Sequence, residues 1–229
     1  MSGDKIIHLV PAVDEDDRKP GHAGNIKVTR DDWLNVAMDV LVSQGIEQVK
    51  ILALGERLGV SRSSFYWYFK NRQELLNELL GVWEAMNTGA IVAHAGEPAE
   101  TITGAVCNLF RCFVNPKIFN HQLDFAVREW SRRSGPVRHI LDRSDATRLD
   151  AIRAMFERHG YAPEDAVTRA RILYYMQIGY YALELQEPLE VRMSFVPGYL
   201  RGFTGEAPLQ EEIDALAAYV ESMNRGNTP

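Results

Sequence analysis

A chain of 229 residues with 46% hydrophobic side chains can bury a substantial core, as one large or two small domains. A net charge of −6 argues against indiscriminate nucleic-acid binding, and no apolar run approaches the ~18 residues of a membrane span. IIHLV ahead of an acidic patch is not a secretory h-region, so a reduced cytoplasm is expected, with Cys107 and Cys112 as unpaired buried thiols.

In chain order, residues 1–25 read as a flexible tail: Asp14-Glu15-Asp16-Asp17 repel one another, and Lys19-Pro20-Gly21 breaks local order. Thr29 suits an N-cap, with Asp31 and Asp32 complementing the helix dipole. The first helix then runs to about Ser43, with Trp33, Ala37, Val40 and Leu41 at helical spacing, and Gly45 ends it. A second helix covers about Lys50 to Leu58, and Ser61 caps a third that continues to Phe69. Asn71 caps a fourth, striped by Leu75, Leu76, Leu79, Leu80 and Trp83. Beyond a break at Gly96-Glu97-Pro98, further helices are expected at about 99–114, 117–132, 136–159, 163–186 and 208–225, with Pro197-Gly198 interrupting 190–203. Nothing alternates with a strand's period, so the fold class is all-α: a three-helix helix-turn-helix domain at 26–72 and a C-terminal helical bundle at 73–229, the fourth helix connecting them.

The second and third helices carry the chemistry. Gly55 lies mid-helix, where glycine costs about 1 kcal/mol against alanine, which a close approach of the third helix would explain. Gly59 falls at the turn, where positive φ is expected. Val60, Phe65 and Phe69 point inward, so Arg62, Ser63, Tyr66, Trp67 and Lys70 form one outward stripe. Between Arg57 and Gln73 stand four basic residues and no acidic one. Such a stripe is suited to a DNA groove: Arg62 to guanine, Ser63 and Ser64 to bases or phosphates, Tyr66 and Tyr68 to phosphate oxygens, Trp67 to the groove wall. Lys70 and Arg72 would neutralise backbone charge, with Lys27 and Arg30 anchoring the first helix, although partial core packing is an equal reading for Tyr68.

The first helix from Thr29, followed by LGVSRSSFYWYFKNRQELL at Leu58–Leu76, resembles the TetR family of bacterial transcriptional regulators. The likeness covers 27–83 well and the rest in helical layout only; glycine stands at 55 where alanine is common in the family. The resemblance implies a homodimer on double-stranded operator DNA, with contacts at Arg62, Ser63, Ser64, Tyr66, Trp67, Tyr68 and Lys70. It also implies a C-terminal domain for ligand binding and dimerisation, a small-molecule effector that moves the fourth helix, and a dimer interface formed by the 163–186 and 208–225 helices.

The sensor half is less legible. ILYYMQIGYYAL at 172–183 is apolar nearly all round, which predicts burial on more than one face. Pocket candidates are Trp83, Met86, Phe110, Phe113, His121, Phe125, Trp130, Tyr174, Gln177 and Tyr181, any of which can equally be ordinary core. Arg128-Glu129-Trp130 suggests a buried ion pair, and Asp142 and Asp145 a solvated face with Arg143 and Arg148. The histidines (His8, His22, His94, His121, His139, His159) show no metal spacing, and no catalytic constellation or cofactor motif is present, so the chain does not read as an enzyme. A ligand-independent regulator or activator whose bundle only dimerises is the alternative to an effector-released repressor.

Overall fold

A computed structural model describes residues 28–185 and 187–225; the 1–25 tail and Lys27 lie outside them. No strand occurs among the described residues, as expected for an all-α chain. The helices are α1 (Arg30–Gln44), α2 (Ile51–Leu58), α3 (Arg62–Phe65), α4 (Arg72–Trp83), α5 (Gly89–Gly96), α6 (Ile102–Val114), α7 (His121–Ser131), α8 (Gly135–Arg158), α9 (Pro163–Ala182), α10 (Leu189–Thr204) and α11 (Gln210–Arg225). No described helix is long and apolar enough to cross a membrane.

Caps fix most boundaries. Thr29 and Asp32 form a reciprocal capping box, the Thr29 hydroxyl accepting from Asp32 N at 3.2 Å while Asp32 Oδ2 accepts from Thr29 N at 2.7 Å. Asn71, Thr101 and Asn120 each accept from a backbone N–H of the turn they open. Gly45 ends α1 at φ 81°. Two expectations are corrected. The third helix has α geometry only over Arg62–Phe65 and then tightens into i→i+3 turns through Tyr68. α10 runs unbroken through Pro197, which sits inside it without interrupting it.

Two cores organise the molecule. The first gathers Trp33, Met38, Leu54, Phe65 and Phe69 of the N-terminal head and Leu79 of α4 with Leu123, Val127, Val137 and Leu141 from α7 and α8. The second joins α6, α8, α9, α10 and α11 around Leu109, Phe156, Leu173, Leu200 and Leu216. One connector passes between them: α4 buries Leu75 to Trp83 in the first core, and α5 buries Ile91 and Ala95 in the second. Where it crosses, Glu84–Thr88 widens into a π turn, which lets Asn87 and Thr88 both face the buried junction.

Candidate nucleic-acid interface

α2 and α3 meet across a turn that needs its glycines. Val60 N donates back to Gly55 O at 2.9 Å, and a Cβ on Gly55 would stand 3.1 Å from Val60 O and 3.5 Å from Trp33. The close approach is therefore made by the turn's own carbonyl and by α1, with α3 reached only at Arg62 N, 3.9 Å away. Gly59 takes the left-handed conformation at φ 67°, as the turn requires. Phe65 and Phe69 stack at 5.2 Å and are buried, and Trp33 meets Phe65 edge-on. Those contacts lock the inner face of the reading segment, which orients the outer one.

The outer face carries Arg62, Ser63, Tyr66, Trp67 and Lys70, all exposed, with Ser64 half-buried beside them. Trp67 is 85% exposed, and nothing among the described residues covers its apolar surface. The Arg62 guanidinium donates to the Tyr66 hydroxyl at 3.0 Å and lies 5.9 Å from its ring, which steadies a long side chain at the start of α3. Ser61 sits at the N-cap position, but its hydroxyl pairs with that of Ser63 at 2.7 Å instead of capping an N–H.

The remaining candidates are engaged inside the head. Tyr68 donates its hydroxyl to Val28 O at 2.5 Å. Arg72 donates to Val49 O at 2.5 Å and to Ile46 O at 2.8 Å, holding the turn ahead of α2. Arg30 pairs with Glu78 and lies 4.9 Å from the Phe69 ring centroid. The exposed cations of the stripe are thus Arg62 and Lys70.

The pocket candidates do not converge. Trp83 and Tyr174 belong to a buried polar network at the π turn. Asp124, almost wholly buried, accepts from Trp83 Nε1, Arg148 and Arg128, each at 2.9 Å. Arg148 also donates to Thr88 and to the Tyr174 hydroxyl. Arg128 forks onto Asp145 at 2.7 and 2.9 Å, and Tyr174 donates to Asp145 at 2.7 Å. Burial alone would raise the Asp124 carboxyl, but Arg148 and Arg128 outweigh it and hold it below the usual range.

The solvated face expected around Asp142 is therefore corrected. Arg138–Asp142 and Arg143–Glu84 are surface pairs, whereas Arg148 is fully buried and Asp145 is tied into the network. The Arg128–Glu129 pair is also corrected. Residues i and i+1 diverge on a helix, so Arg128 takes Asp124 at i−4, and Glu129 stays outside near Arg132 and Arg133. The spacing of Asp124 and Arg128 was the available signal.

Met86 packs on the head core, and Phe125 lies with Trp130 in a groove of about 570 Å³ between α1 and α7. His121 stacks on Tyr181 at 4.9 Å beside an open cleft of about 530 Å³. Phe110, Phe113 and Gln177 line a smaller cavity among α6, α9, α10 and α11.

A compact head with an exposed reading stripe, carried on a helical bundle, defines the architecture of a two-domain helix-turn-helix protein. The model of the family described as "Bacterial regulatory proteins, tetR family" matches residues 34–79. A 62-residue stretch is 39% identical to the tetracycline repressor protein class C of Escherichia coli, and 58 residues are 31% identical to the uncharacterized HTH-type transcriptional regulator TtgW of Pseudomonas putida. These matches span 27% and 25% of this chain and only 27% and 43% of those relatives' lengths. Solved structures extend the likeness to the whole fold. The fatty acid degradation regulator FadR from Bacillus halodurans aligns with TM-score 0.57 at 15% identity, over 80% of this chain and 97% of that one. AmtR of Mycobacterium smegmatis aligns with TM-score 0.55 at 17% identity, over 93% and 99%. Over residues 34–79 the helix-turn-helix unit of this chain is similar to that of the TetR family, and the remainder shares the fold alone.

Proposed function

We propose that the protein is a dimeric, sequence-specific DNA-binding transcriptional regulator of the cytoplasm, a repressor released from its operator by a small-molecule effector. The exposed Arg62–Tyr66–Trp67–Lys70 stripe carries this reading, on a family-matched head whose opposite face is locked into the core. Dimerisation draws support from apolar side chains left in water on two helices: Val167, Ile172 and Tyr175 on α9, and Val191, Phe195 and Tyr199 at i, i+4, i+8 on α10. α11 instead spends its stripe inside the chain, burying Leu216 and Val220, so α10 replaces it beside α9 in the proposed interface. Two-fold symmetry then sets half-sites about 34–36 Å apart.

Selection from a random duplex library, followed by fluorescence anisotropy at several salt concentrations, tests the reading. A palindromic consensus bound at nanomolar protein is expected, with Arg62→Ala losing about 1–3 kcal/mol of discrimination at one base position. Unchanged specificity in that variant would refute the assignment of Arg62. The ligand-independent alternative draws on the small volume of the cavity among α6, α9, α10 and α11, about 70 Å³, beside the roughly 300–1,000 Å³ usual for ligand sites. Native mass spectrometry of protein from its own host decides between the two by the presence or absence of a bound small molecule.

A further inference from the structure

We propose that the cavity among α6, α9, α10 and α11 is the effector site, that it takes a small, neutral, mainly apolar molecule with one hydrogen-bonding group, and that the molecule acts by displacing α10. The inference rests on the reading of the protein as a dimeric DNA-binding regulator. Phe110, Phe113, Met176, Val196 and Leu216 form apolar walls, and Gln177 supplies a polar group that is 93% buried. Its partner within the chain is the Tyr181 hydroxyl, which itself donates to Phe113 O at 2.6 Å. An amide has four hydrogen-bonding positions, more than one tyrosine hydroxyl can meet, so a ligand hydroxyl would find a partner here that a leucine could not offer.

The charge of the ligand follows from where the charges lie. Glu187 and Arg192, of opposite sign, both line the cavity and engage the same tyrosine: the Arg192 guanidinium lies 5.3 Å from the Tyr180 ring centroid, and the Tyr180 hydroxyl donates to Glu187 at 3.1 Å. With one charge of each sign on the wall, already engaged with Tyr180, neither a cationic nor an anionic head is favoured, whereas a hydroxyl would find the Gln177 amide.

Room and transmission both come from α10. An apolar cavity of roughly 150 Å³ holds benzene, so the present 70 Å³ must about double. Pro197 removes the N–H that would bond the Met193 carbonyl, which weakens the helix beside the cavity wall formed by Met193 and Val196. Met176 and Met193 can change rotamer at little cost. The exposed flank of α10 bears Val191 and Phe195, the face proposed to meet the partner subunit, and Tyr199 reaches from that flank into the cavity lining. Filling the cavity therefore moves one wall of the dimer interface and, through it, the separation of the two heads.

The test uses the full chain, with 1-hexanol as probe and hexanoate and hexylammonium as charged counterparts of equal length. Calorimetric titration should give saturable hexanol binding, at least tenfold weaker for either ion. Gln177→Leu should weaken hexanol tenfold while leaving benzene binding unchanged, and Val196→Trp should abolish both. Hydrogen exchange of the wild type, which needs no variant to fold, should change with hexanol across 176–200 and stay constant in 121–131. Equal binding of the ions, an indifferent Gln177→Leu, or protection centred on 121–131 would overturn the site. Saturable hexanol binding that leaves affinity for the selected duplex unchanged would overturn the α10 route. Failure of the unliganded protein to bind any selected duplex would overturn the regulator reading instead, with the calorimetry intact.

Discussion

Asp124→Asn tests the buried network most directly, because it keeps the side chain's shape and removes the charge that two arginines share. Arg148 would be left fully buried, with its other carboxylate, Asp145, 3.8 Å away and already held by the Arg128 fork. Whichever way the new amide turns, its NH₂ faces a donor from Arg128 or from Arg148 and Trp83. Breaking a buried pair from one side costs roughly 3–5 kcal/mol, and the partial exposure of Arg128 places this case near the lower end. At about 2–4 °C per kcal/mol, Tm should fall by on the order of 10 °C. Arg148→Met should cost less, about 2 kcal/mol, because Asp124 keeps Arg128 and Trp83. The double variant should be more stable than the sum of the single losses by at least ~1 kcal/mol, since the sites share one carboxylate. Urea unfolding, followed by fluorescence and circular dichroism at fixed protein concentration, measures all three. A loss under ~1 kcal/mol for Asp124→Asn, or a larger loss for Arg148→Met, would show that the network is not organised around Asp124.

Trp67→Ala should lower DNA affinity with no loss of stability, and Arg72→Ala should lower stability by about 1–3 kcal/mol, because its carbonyl partners sit inside the head; an Arg72→Ala protein that melts like the wild type would contradict this. Acid should act in two windows. Burial, then Arg192, lowers His121 below 6.5, so the unfolded chain takes that proton first and stability falls as pH drops below 6.5, a step that His121→Gln should remove. Asp124 is depressed, so its contribution is full above the ordinary carboxyl value of 3.8 and is lost as pH falls below it; a urea midpoint flat from pH 7 to 3 would oppose both. Burial pushes Cys107 and Cys112 up to about 12, so neither should react with a disulfide reagent at pH 8 until the chain is unfolded, when both should titrate.

The helices were legible because their ends are written locally: Thr29 with Asp32, Gly45 and Asn71 each satisfy groups within one turn. The reading stripe was legible by subtraction, once Phe65 and Phe69 were turned inward. Periodicity, however, names a face and not a partner. Arg148, Asp124 and Tyr174 are separated by 24 and 26 positions, and no local pattern distinguishes a buried arginine from a solvated one. For the same reason Arg72 reads as a phosphate ligand, and Tyr68 as equally a phosphate ligand or a core residue, while their groups reach carbonyls 23 to 26 and 40 residues away. α11 carries a clean apolar stripe, yet only packing reveals that α6 covers it while Val191, Phe195 and Tyr199 stay in water.

The first core has a consequence for how the chain can be divided. Trp33 and Phe65 share it with Leu123, Val127, Val137 and Leu141, which lie 58 to 76 residues beyond Phe65 and 90 to 108 beyond Trp33. A fragment cut after Arg72 would keep the complete reading stripe and lose Leu75 to Trp83 together with the α7 and α8 side chains that cover it. The smallest piece able to fold and grip DNA therefore extends at least to Leu141. During synthesis this core closes only once those residues emerge, so the proposed DNA binding would arrive only after more than half of the chain has been made.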